Sequence, residues 1–288
     1  MKKYIAIIFC VVIFSETKAQ NEGRIGIFTG INNTTLLNKD DKAFGDFLPT
    51  FKSNVGIDGA YHFTLFKTLA AGIGSEMSYT STGQNYSGSY QDSTSYYAYS
   101  RLQYVRFGMF LHLGTPLRRS VAISYGSGFA FGFLTGYQDR YELIRYNNSR
   151  LIADVRNQNI DLIDSSTTKA TINEPLYNRT DLTLFNKLGL DFLIGDNFVL
   201  SIYGRYDMGM SSVENHMNHK IIIQSEPATT QDFVLHYQKI KYRQTSALPS
   251  ERSITTNNFG GVYFSLRYRI WNKDKTEFWY KQRQLKSR

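Results

Sequence analysis

Residues 55–65 constrain the chain more than any other stretch. Val55, Ile57, Tyr61, Phe63 and Leu65 take the odd positions, with Gly59 as the one interruption. Asn54, Gly56, Asp58, Ala60, His62 and Thr64 take the even ones. Alternation with period 2 makes a strand with two unlike faces. A tilted strand needs about 9–11 residues to cross a bilayer, and this one has that length.

The same alternation returns seven times. It predicts strands over about 24–33, 55–65, 68–82, 96–113, 120–137, 180–194, 198–212 and 255–271. In the fifth, Val121, Ile123, Tyr125, Phe129, Phe131 and Phe133 oppose Ala122, Ser124, Gly126, Gly128, Ala130 and Gly132, so one face is entirely small. The connections alternate long and short: loops over 34–50, 83–95, 138–179 and 213–254, and turns at 66–67, 114–119 and 195–197. Long external loops and short periplasmic turns are the signature of an even-stranded barrel with both ends in the periplasm. The expected fold is an all-β, eight-stranded, antiparallel up-and-down transmembrane β-barrel. Ten strands are the alternative, if 220–224 and 233–242 join the wall instead of standing above it as a hairpin.

A soluble, lipocalin-like barrel also alternates, with its apolar face inward. Three features favour lipid outside. The less apolar faces are rich in Gly, Ala and Ser, which suit a narrow lumen and have no use on a wetted surface. Large aromatics on the apolar faces fall near strand ends (Tyr61, Phe63, Tyr79, Phe192, Phe198 and Tyr268), where interfacial girdles lie. The loop lengths are directional. A mean hydropathy of −0.35 is compatible with a barrel, since only alternate residues of each strand meet lipid.

The first residues read as a secretory leader. Lys2 and Lys3 precede an apolar run over 5–14, too short to span as a helix, and Thr17 and Ala19 form a small-x-small site. Cleavage is expected between Ala19 and Gln20, giving a leader over 1–19, a barrel over 20–271 and a basic periplasmic tail over 272–288. The lone cysteine, Cys10, leaves with the leader, so disulfides, thiol nucleophiles and Cys-ligated metals are excluded from the mature chain. The net charge is +9, and the tail holds six Lys or Arg against two Asp or Glu. The charge forms no stripe elsewhere, which argues against nucleic acid as a partner.

Three stretches carry a family resemblance. Tyr104-Val105-Arg106-Phe107-Gly108-Met109-Phe110-Leu111 resembles a Tyr-Leu-Glu-Ile-Pro-Leu-Leu-Leu strand, with Arg106 in place of Glu and Gly108 in place of Pro. Asn186-Lys187-Leu188-Gly189-Leu190-Asp191 resembles an Asp-Phe-Gly-Leu strand opening. Arg205-Tyr206-Asp207-Met208-Gly209-Met210 resembles Arg-Tyr-x-x-Gly-Leu. Together they resemble the PorT-like outer-membrane β-barrel family of Bacteroidetes. The resemblance implies an eight-stranded barrel; one branch of that family assists type IX protein secretion.

Several charged residues take lumen-facing positions: Asp58, Glu76, Arg106, Lys187, Asp191, Arg205, Asp207, Arg267 and Arg269. Eight strands leave room only for side chains to fill the interior, so these are expected to pair in a network that plugs it. A narrow solute channel is the competing reading. His62 and His112 also face inward, as polar filling or as a metal or proton site. Glu214, His216 and His219 cluster in the last loop, a thin signal for a metal. Ser211, Ser212, Glu214 and His216 supply the residue types of a lipid A-modifying enzyme without the spacing of a triad. The reading adopted is a scaffold, surface-recognition or secretion-accessory barrel, with no enzymatic activity, cofactor or metal. It is expected to be monomeric in outer-membrane lipid, with any protein partner held by the external loops or by the tail, where Phe278, Trp279 and Tyr280 lie among basic residues.

Overall fold

The computed structural model describes residues 21–38, 46–66, 68–90, 94–116, 121–144, 150–163, 167–172, 175–215, 221–223 and 254–272. Eight long strands form the wall: β1 (Asn21–Leu37), β2 (Phe51–Phe66), β3 (Leu69–Tyr90), β4 (Thr94–Gly114), β5 (Val121–Ile144), β6 (Thr180–Ile194), β7 (Phe198–Gly209) and β8 (Thr256–Asn272). Each pairs antiparallel with its neighbours in sequence. The ring closes between β1 and β8, paired from Glu22↔Asn272 to Leu37↔Thr256 with one register shift between Gly23 and Arg24. The eight-strand reading holds and the ten-strand alternative does not. Ile221–Ile223 pairs with Ala170–Ile172 and not with the wall, and 233–242 lies outside the described residues.

Polarity is inverted relative to a water-soluble barrel. Ile31, Met109 and Leu111 are 66%, 69% and 65% exposed on the outer face. Arg205, Lys187, Glu76 and Asp58 are buried inside. An outer surface of Ile, Leu, Phe and Met on all eight strands requires lipid around it. Closure follows from the same solvent, because an open edge would leave unpaired backbone groups in hydrocarbon. The protein is an outer-membrane β-barrel.

Three expectations about loops are corrected. The segment 83–95 is not a loop: β3 runs on to Tyr90 and β4 starts at Thr94, paired from Gly83↔Arg101 up to Tyr90↔Thr94. The segment 138–179 begins as strand, since β5 continues to Ile144. It then adds Arg150–Arg156, Asn159–Ile163 and Thr167–Ile172, each hydrogen-bonded to the one before. Asp46–Leu48 within 34–50 pairs with β3. Above the membrane no lipid demands an unbroken apolar face, so no alternating apolar pattern marks these strands in the sequence. The turn over 195–197 is as expected, with Gly195 at φ 59°, a conformation that favours glycine. The leader, including Ala19 and Gln20, and the tail from 273 lie outside the described residues.

Small residues on the inner wall make room for large ones on the next strand. A methyl group added at Gly74 would overlap the Phe110 ring, and one at Gly56 would overlap the Phe28 ring. The interior is thereby packed with side chains, including the cluster Phe110, Ala130 and Phe185 and the cluster Phe28, Tyr203 and Tyr263. Tyr203 and Tyr263 stack with ring centroids 5.3 Å apart.

Candidate functional site: the luminal charge networks

Strand parity points Arg205 and Asp207 of β7, Glu76 of β3, Lys187 and Asp181 of β6 and Arg106 of β4 into the lumen. They form one network. Arg205 forks onto Asp207, Nε to Oδ2 at 2.7 Å and Nη2 to Oδ1 at 3.0 Å, and donates through Nη1 to Glu76 Oε1 at 2.5 Å. Arg106 donates to Asp181 Oδ2 at 2.5 Å and to Thr183 Oγ1 at 3.2 Å, and lies 3.7 Å from Asp207. Asn257 donates to the same Asp181 oxygen at 3.2 Å. Lys187 Nζ sits 3.7 Å from Glu76 and 3.3 Å from the centre of the Phe110 ring. Three cations face three anions.

A second network lies below, toward the short turns. Arg267 holds Asp58 through Nε and Nη2, the latter at 2.5 Å from Oδ2. Its Nη1 donates to Ser201, which donates to Asp191 Oδ1 at 2.6 Å. Arg24 links Asp191 at 3.0 Å to Glu22 at 2.8 Å. Arg269 grips Glu22 in turn, at 2.7 and 3.0 Å, and donates to the Asp196 carbonyl of the β6–β7 turn. Again three cations face three anions. Pairing of this kind is what lets charge stay buried, since breaking one such pair costs about 3–5 kcal/mol.

All nine luminal residues expected from the sequence fall in these two networks. The sequence reading missed three members. Asp181 shares the parity of Lys187 and Asp191, which was signal enough. Glu22 and Arg24 continue the inner face of β1 below Gly26, and β1 begins at Asn21, ahead of the Arg24 start that the sequence predicts. His62 and His112 do meet, edge to face with ring centroids 4.4 Å apart, and neither Nδ1 has a hydrogen-bond partner. Arg24, Lys187, Arg267 and the Asp191 carboxylate lie around the pair. Glu214 is buried and accepts from Thr255 at 2.8 Å, while His216 and His219 lie outside the described residues. Among the described residues no group of three His, Cys, Asp or Glu is placed to hold a metal. Ser211 donates to the Asp181 carboxylate at 3.5 Å and its Oγ accepts from the Leu182 amide; no histidine among the described residues joins it.

The external mouth is also occupied. Segments 175–179 and 211–215 continue β6 and β7 outward, joined by Asn178 N–H to the Val213 carbonyl and Asn215 N–H to the Leu176 carbonyl. Leu176, Tyr177 and Val213 are almost fully buried. Tyr177 reaches Ser100 of β4 and Asp139 of β5, donating to Asp139 at 2.8 Å. Beside it, outside the membrane span, burial pushes the Tyr137 hydroxyl up from its ordinary pKa.

No protein-family model matches the sequence, and no characterised protein matches it either. Solved structures similar to this chain include Ail, the attachment invasion locus protein of Yersinia pestis, in complex with the heparin analogue sucrose octasulfate, at 11% identity over 86% of this chain and 99% of Ail, with a TM-score of 0.33. Neisserial surface protein A is 9% identical over 86% and 97%, with a TM-score of 0.34. OprG of Pseudomonas aeruginosa is 10% identical over 88% and 96%, with a TM-score of 0.33. Likeness at this level assigns the chain no role.

Proposed function

We propose that this barrel is a surface-recognition protein whose working part is the sheet outside the membrane and whose lumen is a structural plug. The length of β5 carries the reading. It has 24 residues, Val121–Ile144, where a span needs about 9–11. Its outer half pairs with β4 and with Arg150–Arg156, and three further short strands extend that sheet. Crossing the membrane requires none of this.

Composition supports the same reading. The sequence over 86–100 holds Tyr86, Tyr90, Tyr96, Tyr97 and Tyr99 among Ser87, Ser89, Ser93, Ser95 and Ser100. Tyrosine gives large contact area at low entropic cost and serine adaptable hydrogen bonding, which is why binding surfaces favour the pair. The two balanced networks weigh against a channel. Membership of the PorT-like family, and with it a secretion-accessory role, stays part of this proposal and rests on the three strand motifs.

The test is single-channel recording of the folded protein in a planar bilayer, alongside binding of whole cells to candidate surfaces. A silent barrel whose cells lose binding when the β3–β4 hairpin is trimmed supports the proposal. Steady current that changes when Arg106 or Arg205 is neutralised overturns it in favour of a solute channel.

A further inference from the structure

The lipid-facing side of β6 reads Leu182, Leu184, Asn186, Leu188, Leu190, Phe192 and Ile194. Six of the seven are apolar, and one is a carboxamide. At about 3.3 Å per residue and a tilt of about 40°, this face covers roughly 30 Å of membrane. Asn186 is then about 10 Å inside one edge of the belt and about 20 Å inside the other. Its Oδ1 accepts from the Tyr125 hydroxyl at 2.7 Å, on the outer wall. Its Nδ2 has no hydrogen-bond partner among the described residues. Turning the amide over only exchanges which end is left free. An unpaired amide in hydrocarbon is costly, and polar groups on lipid faces find partners across interfaces.

We infer that the protein pairs with a second copy of itself in the membrane, wall against wall through β5, β6 and β7, with the Asn186 carboxamides hydrogen-bonded to each other. Two arguments select a second copy. Both copies insert with the same orientation, so their two-fold axis runs along the membrane normal and each residue meets its twin at equal depth. A carboxamide is self-complementary: with Tyr125 on one lone pair of Oδ1, the other lone pair and the Nδ2 hydrogens match their symmetry mates in a reciprocal pair.

The shape of the wall fits. Ser127, the register partner of Asn186 on β5, is outward and small, so the β5 side leaves Asn186 open to a second wall. On β7 its register partner is the outward Tyr206, with the bare Gly204 two residues nearer the short turn, opposite Leu188. The far wall offers no such donor at Thr29, whose hydroxyl donates to the Asn54 carbonyl at 3.0 Å. The pairing is made by side chains within the membrane span, so it does not rest on the recognition role.

The test uses the full chain carrying Cys10→Ser, refolded into phosphatidylcholine vesicles, with folding checked by heat-dependent gel mobility. Ser127→Cys reports on the proposed wall and Thr29→Cys on the opposite one. Under mild oxidant, the expected result is a disulfide-linked dimer at position 127 and little at 29, persisting as the protein is diluted in lipid. Asn186→Leu, an apolar change on a lipid face, is expected to lower the dimer affinity about tenfold by energy transfer between labelled copies, as two membrane hydrogen bonds predict. Equal cross-linking at both walls, a Ser127→Cys yield that vanishes on dilution, or an Asn186→Leu dimer as tight as the original would each overturn the inference. The first and second outcomes are readable from the cysteine pair even if Asn186→Leu folds poorly.

Discussion

Arg205 reaches Glu76 across the lumen, Nη1 to Oε1 at 2.5 Å, while its other nitrogens grip Asp207 two residues along its own strand. One guanidinium therefore ties β7 to β3, strands that are not neighbours in the ring. The Phe185 ring lies 4.0 Å from its central carbon, covering the remaining face. The barrel's cross-section is fixed from inside by this contact as well as by the backbone ladder.

Removing that tie takes the nearest cation from two buried carboxylates and leaves three anions facing two cations. Arg205→Ala is expected to cost about 3–5 kcal/mol in urea unfolding from lipid vesicles. Adding Asp207→Asn should return most of it, because Lys187 then still faces Glu76 and Arg106 still faces Asp181, and the penalty lies in stranded charge and not in a lost cross-link. A single-variant loss under about 1 kcal/mol would show that water reaches the network and that the lumen is open.

Gly74 and Phe110 test the packing beside it. A side chain at 74 has no space while the Phe110 ring is present. Gly74→Val is expected to destabilise the barrel by about 1–3 kcal/mol, the usual cost of overpacking. Phe110→Ala in the same chain should relieve that clash, so the pair of changes falls short of the sum of the two. Strict additivity in a double-mutant cycle would place the ring elsewhere.

The sequence showed the membrane-spanning part well and the external part poorly, for one physical reason. Between lipid and a packed lumen, every second residue is constrained, so 180–194 could be bounded at both ends as the structure has it. The β3–β4 hairpin above it meets no lipid, and its Tyr, Ser and Gly carry no apolar period. The luminal charges were legible by parity, since Asp58, Glu76 and Arg267 share faces with glycines. Their partners were not, because which charge meets which depends on the ring's closure and stagger. The pairing of Arg24 with Asp191, 167 residues apart, is set by that closure.

Trimming the hairpin separates the two parts. Replacing 84–100 with an Asn-Gly turn joins β3 and β4 just above Gly83 and Arg101, where the register already holds them opposite each other. The shortened barrel is expected to keep its heat-dependent mobility and its urea midpoint within about 0.5 kcal/mol, as surface changes do. Binding of cells to their target surface should fall at least tenfold. Loss of folding would instead give the external sheet a structural role, and retained binding would move recognition to the strands over 150–172.

The boundary between the two parts can be read along one strand. The outward residues of β4 run Leu113, Leu111, Met109, Phe107, Val105, Gln103 and Arg101, from the short-turn end toward the outside. Apolar side chains stop at Val105, and Arg101 is exposed, with its Nε donating to Ser81 at 3.3 Å. A charge should therefore be costly below this line and tolerated above it. Met109→Arg is expected to destabilise by about 2–4 kcal/mol, the cost of arginine near the bilayer midplane, and Gln103→Arg by about 0–1 kcal/mol. Both are measured by reversible unfolding in vesicles of the same lipid. Equal costs at the two positions would place the hydrocarbon edge beyond Gln103, and a negligible cost at Met109 would mean that this wall faces protein or water and not lipid.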